Sequence, residues 1–223
     1  MEKVEAPADL PPAMFISGHL GLDFINSVAV PVDETVEWIG DGRNYLSWLG
    51  QAGLFSGSEI SNMESRMSVK ELDAVAAEAR TLREWFRGFV IAHRGHPLKP
   101  AALEQLGPLI KILNGDELFW SLERSGAKSA PGDHQRVGAS PLQLALERRY
   151  RGPKSLLLPV AEQLAKLVCS PDFRWIKGCE GARCTLLILD LTRRRTRRWC
   201  SMTVCGNRAK QAAHRKRIED RGG

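Results

Sequence analysis

The chain has 223 residues, 32 basic against 26 acidic side chains and a net charge of +6. That is enough for one good core plus a small appended module, or for two small domains. No uninterrupted apolar run of about eighteen residues is present, which excludes a membrane span. The acidic, proline-rich start MEKVEAPADLPPAMFISG lacks the basic-then-apolar order of a secretory signal, so a cytoplasmic protein is expected.

Residues 1–14 read as a flexible leader. In MFISGHLGLDFINSVAV, Leu20, Phe24, Ile25 and Val28 recur at helical spacing, which predicts a short helix running towards Pro31. Asp23, Asn26 and Ser27 share one side of that helix at three- and four-residue spacing. They read either as a hydrogen-bonded core or cap cluster, or as the polar part of an effector pocket. GDGRNYLSWLGQAGLF predicts a second helix, opened by Asp41 or Gly42 and ended by Gly53. SVKELDAVAAEARTLREWFRGFVIAHRG is the clearest helix. Ser68 and Glu71 have capping-box spacing, and Leu72, Val75, Ala76, Ala79, Leu82 and Phe86 form a continuous apolar stripe. KPAALEQLGPLIKILNG predicts a helix kinked at Pro108. ELFWSLER and PLQLALERRY alternate as strands and could pair as a hairpin across a Gly/Ser/Pro-rich turn. PKSLLLPVAEQLAKLVC returns to helix, and SPD at 170–172 is a turn signal and domain boundary. Trp38, Trp48, Trp85 and Trp120 read as core. No nucleophile–base–acid set and no phosphate-binding glycine loop is visible, so no enzymatic activity is expected.

Charge is unevenly spread. Ten basic residues and no acidic one fall between 191 and 217: Arg193, Arg194, Arg195, Arg197, Arg198, Arg208, Lys210, Arg215, Lys216 and Arg217. The rest of the chain then holds 22 basic and 26 acidic groups, a mildly acidic body with one cationic end. Such asymmetry points to a polyanionic partner, or else to a solvated basic tail. Five cysteines, an odd number, argue against a disulfide framework. Four of them form two close pairs, Cys179 with Cys184 and Cys200 with Cys205, each separated by four residues and joined by a fifteen-residue connector. Two thiol pairs so joined suit a tetrahedral zinc site, each pair making a knuckle. The connector, TLLILDLTRRRTRRW, suits a hairpin packed over the metal. Buried free cysteines and arginine-activated thiols are the competing readings.

GNRAKQAAHRKRI after Cys205 predicts a helix. Ala209, Ala212 and Ala213 make a narrow face that could lie against the knuckles. Asn207, Gln211 and His214 occupy the opposite face, flanked by Arg208 and Arg215 on one side and Lys210 and Arg217 on the other. Charged flanks suit phosphates and an amide/imidazole centre suits base edges, unless the face is merely solvated. Four thiolates fill a structural zinc site, which leaves His214 outside the ligand set.

RRWCSMTVCGNRAKQAAHRKR closely resembles the bacterial CGNR zinc-finger family, named for the tetrapeptide at Cys205–Arg208. The upstream CEGARCTLLILDLTRRRTRRWC fits the same pattern, with Asp190 matching the acid that ends the family's first strand. LDFINS at 22–27, YLSWLGQAGLF at 45–55 and LREWF at 82–86 look like motifs of ABATE, that family's partner domain. This chain departs from the pattern at Leu186-Leu187-Ile188, where an aromatic is usual. It departs again at Thr192, Arg195 and Thr196, where Ser, Asn and Ser are usual.

The resemblance implies a stress-induced transcription regulator with one structural Zn2+ and a DNA-binding zinc finger. The expected fold is mainly α (α+β). A helical domain over 15–170 with a small β-hairpin would sense a small-molecule effector or form a homodimer. A four-cysteine zinc module over 173–219, a hairpin plus a C-terminal helix, would bind DNA. Two other readings stay open: an RNA-binding module, for which Trp199 is the one stacking candidate, and a redox-sensing or protein-interaction zinc site.

Overall fold

The computed structural model describes residues 10–30, 34–124 and 141–222. The chain builds a helical body from α1 (Leu20–Ile25), α2 (Gly42–Gln51), α3 (Gly57–Arg66), α4 (Val69–His93), α5 (Gly107–Leu113) and α6 (Leu158–Cys169). Three antiparallel two-stranded ribbons complete it: β1 (Val28–Ala29) with β2 (Val36–Glu37), β3 (Leu118–Arg124) with β4 (Leu142–Arg148), and β5 (Ile176–Gly178) with β6 (Leu187–Leu189). Helix α7 (Asn207–Gly222) ends the chain. The expected mainly α (α+β) class is the observed one. Among the described residues no helix is long and apolar enough to cross a membrane.

α1 lies at the centre, with Leu22, Phe24 and Ile25 fully buried. It packs on α4, α6 and β6. Its approach to α6 depends on Gly21, where a Cβ would stand 2.9 Å from the Gln163 carbonyl oxygen. Asp41 caps α2 and Ser68 caps α4, the latter in a full capping box with Glu71. Each cap satisfies backbone N–H groups that the first turn leaves without partners. The α4 stripe from Leu72 to Val90 is buried as the periodicity predicts. Tyr45 is buried in α2 and its hydroxyl donates to the Leu156 carbonyl (3.0 Å).

Several expectations need correction. The first helix stops at Ile25, and Val28 instead pairs with Glu37 across β1–β2; Pro31 lies outside the described residues. The stretch around Pro108 is a 3-10 turn, Pro100–Leu106, followed by α5. Pro108 sits in the first turn of α5, where its missing N–H costs nothing. Of the leader, residues 1–9 lie outside the description. Residues 10–14 are tied down: Trp38 donates to the Pro11 carbonyl (2.8 Å), and the Ala13 N–H donates to Gln51 (3.0 Å). α3 was not anticipated, although Ser56 and Glu59 form a second full capping box and Ile60 and Met63 supply its buried face. Trp120, read as core, is 65% exposed.

In the C-terminal module the hairpin is built differently from expectation. β5 lies before the first cysteine and β6 in the connector, so the Cys179–Cys184 knuckle is itself the turn of the hairpin. The second half of the connector is a loop that returns beside the knuckle, where the Glu180 N–H donates to the Arg198 carbonyl (2.9 Å). Leu187, Ile188 and Leu189 are all buried in the same continuous core as α1, α4 and α6. The module is therefore joined to the body through a common core.

Candidate metal centre and its cationic surroundings

Cys179 and Cys184 come from the hairpin turn, Cys200 from the end of the return loop, and Cys205 from a single π-type turn, Met202–Gly206, that leads into α7. Their four sulfurs all lie within 4.8 Å of one another. Cys184 and Cys200 Sγ are 3.8 Å apart, and Cys200 and Cys205 Sγ 3.5 Å. A disulfide needs about 2.05 Å. Four sulfurs on one zinc ion, at about 2.3 Å each, stand roughly 3.8 Å apart along the tetrahedron's edges. The cage therefore has the size of a zinc tetrathiolate. Cys200 and Cys205 are buried and the other two half-buried. The Cys200 N–H donates to Cys179 Sγ (3.2 Å), which helps disperse thiolate charge. Gly181 makes room for the cage, since a Cβ there would meet Cys205 Sγ at 2.9 Å.

The protons show why the cage suits a cation. A hydrogen bond from Cys200 holds the Cys184 thiol down at about 5. The same bond, together with burial, pushes Cys200 far up, and burial raises Cys205 to about 11. Sulfurs this close cannot all ionise unless a divalent ion replaces their protons. The four cysteines form one structural zinc site. Four thiolates leave no open coordination position, so the ion's contribution is to join hairpin, loop and helix start.

The arginine-rich turn is organised by Asp190, which is 1% exposed. One carboxylate oxygen accepts from the Thr192 N–H (3.0 Å) and hydroxyl (2.6 Å). The other accepts from Lys177 Nζ (2.7 Å) and the Arg197 N–H (2.8 Å). Burial opposes its ionisation, but these four donors prevail and hold the carboxyl at about 2. Arg195 sits at φ 53°, in the left-handed region. Its side chain donates to the Asp190 carbonyl, pairs with Asp172 (3.1 Å) and covers the Trp175 ring. Arg197 donates to the carbonyls of Ile16 (2.7 Å), Cys200 (2.8 Å) and Trp199 (3.2 Å). Arg198 pairs with Glu180 (2.6 Å) over the Trp199 ring. Of the five arginines expected on a nucleic acid, these three hold the module together. Arg193 and Arg194 are exposed and have no acidic partner among the described residues.

α7 begins at Asn207, and its described side chains are exposed apart from a half-buried Ala209. Ala212 and Ala213 are exposed and do not cover the knuckles, so most of the alanine face is solvated. Arg208, Lys210, Gln211, His214, Arg215 and Arg217 all reach solvent, while the side chain of Lys216 lies outside the described residues. Asn207 is partly engaged, because its amide donates to the Thr203 carbonyl at the helix start (3.1 Å).

Asp23, Asn26 and Ser27 form the hydrogen-bonded core cluster of the two sequence readings. Asp23 accepts from the Ser17 N–H (2.9 Å), and burial raises its carboxyl. Asn26 donates to the Leu187 carbonyl (2.8 Å) and accepts from the Leu187 N–H (2.9 Å). Its amide thus supplies β6 with the partner an adjacent strand would give. The Leu189 N–H donates to the Ser17 carbonyl (2.7 Å), completing the seam. Ser27 accepts from Arg83 (3.1 Å), and Arg83 also grips Glu37 with two bonds of 2.7 Å. Sequence reasoning missed Arg83. Its signal was a charge set in the buried row Ala76, Ala79, Arg83, Phe86, Val90, since a charge in such a row needs a partner.

The family model described as "Putative stress-induced transcription regulator", ABATE, matches residues 18–171. The CGNR zinc-finger model matches residues 175–218. Among curated proteins there is no significant match. The first model spans more than half of the chain and the second spans the cage with its helix, so the protein belongs to the ABATE family and carries a C-terminal CGNR zinc finger.

Proposed function

We propose that the protein regulates transcription by binding duplex DNA through its zinc module, as a binding protein and not an enzyme. The observation that carries this reading is the module's construction. A zinc cage fixes two exposed cationic elements, the Arg193–Arg194 turn and α7, and no acid occurs between 191 and 217. Arg193 and Arg194 contact phosphates, and Gln211 and His214 approach base edges from α7. Single-stranded RNA is less well served. The indoles of the zinc module, Trp175 and Trp199, are half-buried and already covered by arginines.

The test is binding of the zinc-loaded chain to random duplex DNA and to structured RNA at matched salt. Duplex affinity should fall steeply with salt, because each neutralised phosphate releases counterions. Replacing Arg193 and Arg194 by Ala should lower the salt slope by about 2 and leave zinc content unchanged. A flat salt dependence on duplex DNA, or tighter binding to RNA, would refute the reading.

A further inference from the structure

The β3–β4 ribbon carries an apolar stripe that is exposed to solvent. Its register pairs Leu118 with Arg148, Trp120 with Leu146, Leu122 with Leu144, and Arg124 with Leu142. Directly paired residues point to the same side of a ribbon, so one face reads Leu, Trp, Leu, Arg on one strand and Arg, Leu, Leu, Leu on the other. That face holds no acid; Arg124 closes one end, and at the other Arg148 is drawn into ion pairs with Asp116 (2.7 Å) and Glu162 (2.8 Å). Its six apolar side chains are 51–75% exposed. The opposite face, with Phe119, Ser121, Glu123, Gln143, Ala145 and Glu147, is mostly polar and is the half-buried one. The usual alternation is inverted: the polar side is the more covered, and the apolar side meets water.

We propose that this ribbon is a homodimer surface, the apolar face of one copy packing on the same face of a second. Two observations select that occupant. First, the six side chains expose on the order of 600 Å² of apolar surface, at the upper end of what a monomer tolerates in one patch. Doubled by a second copy, this comes to roughly 1,200 Å², the lower bound of a stable interface. Second, thirteen large hydrophobic residues are exposed among the described residues, six of them on this face and seven scattered over other elements. Among the described residues, then, the surface able to cover the ribbon is the ribbon itself. That is the condition for a closed twofold contact in place of an open filament.

Sedimentation equilibrium of the full zinc-loaded chain tests this. The expected mass at tens of micromolar is twice the 24.8 kDa of one chain. Trp120→Glu with Leu144→Glu should sediment as a monomer with full zinc content. Should that variant misfold, Leu122→Lys alone, at the most exposed of the six positions, should shift the dimer's dissociation constant at least tenfold upward. A monomeric wild type overturns the proposal, and so does a dimer indifferent to Leu122→Lys. A wild type that stays monomeric and binds neutral lipid vesicles through Trp120 would reassign the face to a membrane surface.

Discussion

Replacing Asn26 by Leu tests whether the seam between body and zinc module is a structural coupling. The Asn26 amide makes two hydrogen bonds to the backbone of Leu187, both at 2.8–2.9 Å and both buried. A leucine of similar size fills the space but leaves a buried N–H and a buried C=O without partners. Each orphaned group costs about 1–3 kcal/mol, so the variant should lose roughly 3–4 kcal/mol. That is a large part of the 5–15 kcal/mol of a typical domain. The assay is urea unfolding followed by tryptophan fluorescence, with zinc release read in parallel by a chromogenic chelator. In the wild type the two signals should move together. In Asn26→Leu zinc release should come at lower urea, because β6 carries the hairpin that holds Cys179 and Cys184. Asn26→Asp is the control. The introduced carboxylate keeps an acceptor for the Leu187 N–H but sets an oxygen against the Leu187 carbonyl. Protonation restores the missing donor, so this variant should regain stability as pH falls while Asn26→Leu does not. A loss below about 1 kcal/mol in Asn26→Leu, with coincident signals, would refute the coupling.

Asp190→Asn should cost about 3 kcal/mol at neutral pH, because an amide cannot accept from both Lys177 and the Arg197 N–H without presenting a donor to a donor. Asp190 is held at about 2 against an ordinary 3.8. Its stabilisation is therefore present above the ordinary value and lost as pH falls from there towards 2, so the urea-midpoint gap between the two proteins should narrow over that window. A gap constant with pH would count against it. Gly181→Ala should weaken zinc binding roughly 10-fold or more in chelator competition, since the new Cβ meets Cys205 Sγ at 2.9 Å; unchanged affinity would mean the knuckle yields freely. Arg195→Ala should be less stable than Arg195→Asn by about 1 kcal/mol, because both lose the side-chain contacts while only Asn tolerates φ 53°. Equal melting temperatures would contradict this. Cys205→Ser should lose stoichiometric zinc, and retention with normal folding would remove the four-ligand assignment.

The sequence announced the elements whose determinants are local. The Ser68–Glu71 box, the α4 stripe and the alternation in β3 and β4 each place their signal within a few residues, and each is where its pattern predicts. The four-cysteine cage was legible for the same reason, since metal-ligand spacing is a local constraint on a small module. What misled was non-local. Val28 fits helical spacing, but Asn26 turns its amide to Leu187, 161 residues away, and the helix stops at Ile25. Trp120 has the bulk of a core residue, and nothing beside it in sequence tells which face of a ribbon the body covers.

The cationic turn shows the same limit most sharply. Arg193, Arg194, Arg195, Arg197 and Arg198 are the same residue type within six positions, and a count of charge treats them alike. Structure separates them by what they meet. Arg197 finds four backbone carbonyls, Arg195 finds Asp172 and the Asp190 carbonyl, and Arg198 finds Glu180. None of these acceptors can be assigned from the run itself. A polyanion approaching the turn therefore meets two uncommitted guanidinium groups, not five. Each phosphate contact contributes about 0.9 to the salt slope on duplex DNA, so under the proposed function the turn would supply roughly 2 of it and α7 the remainder. The charge that the composition assigns to a partner is thus divided. Part of it reaches outward, and part holds the zinc module in the one arrangement from which the rest can reach.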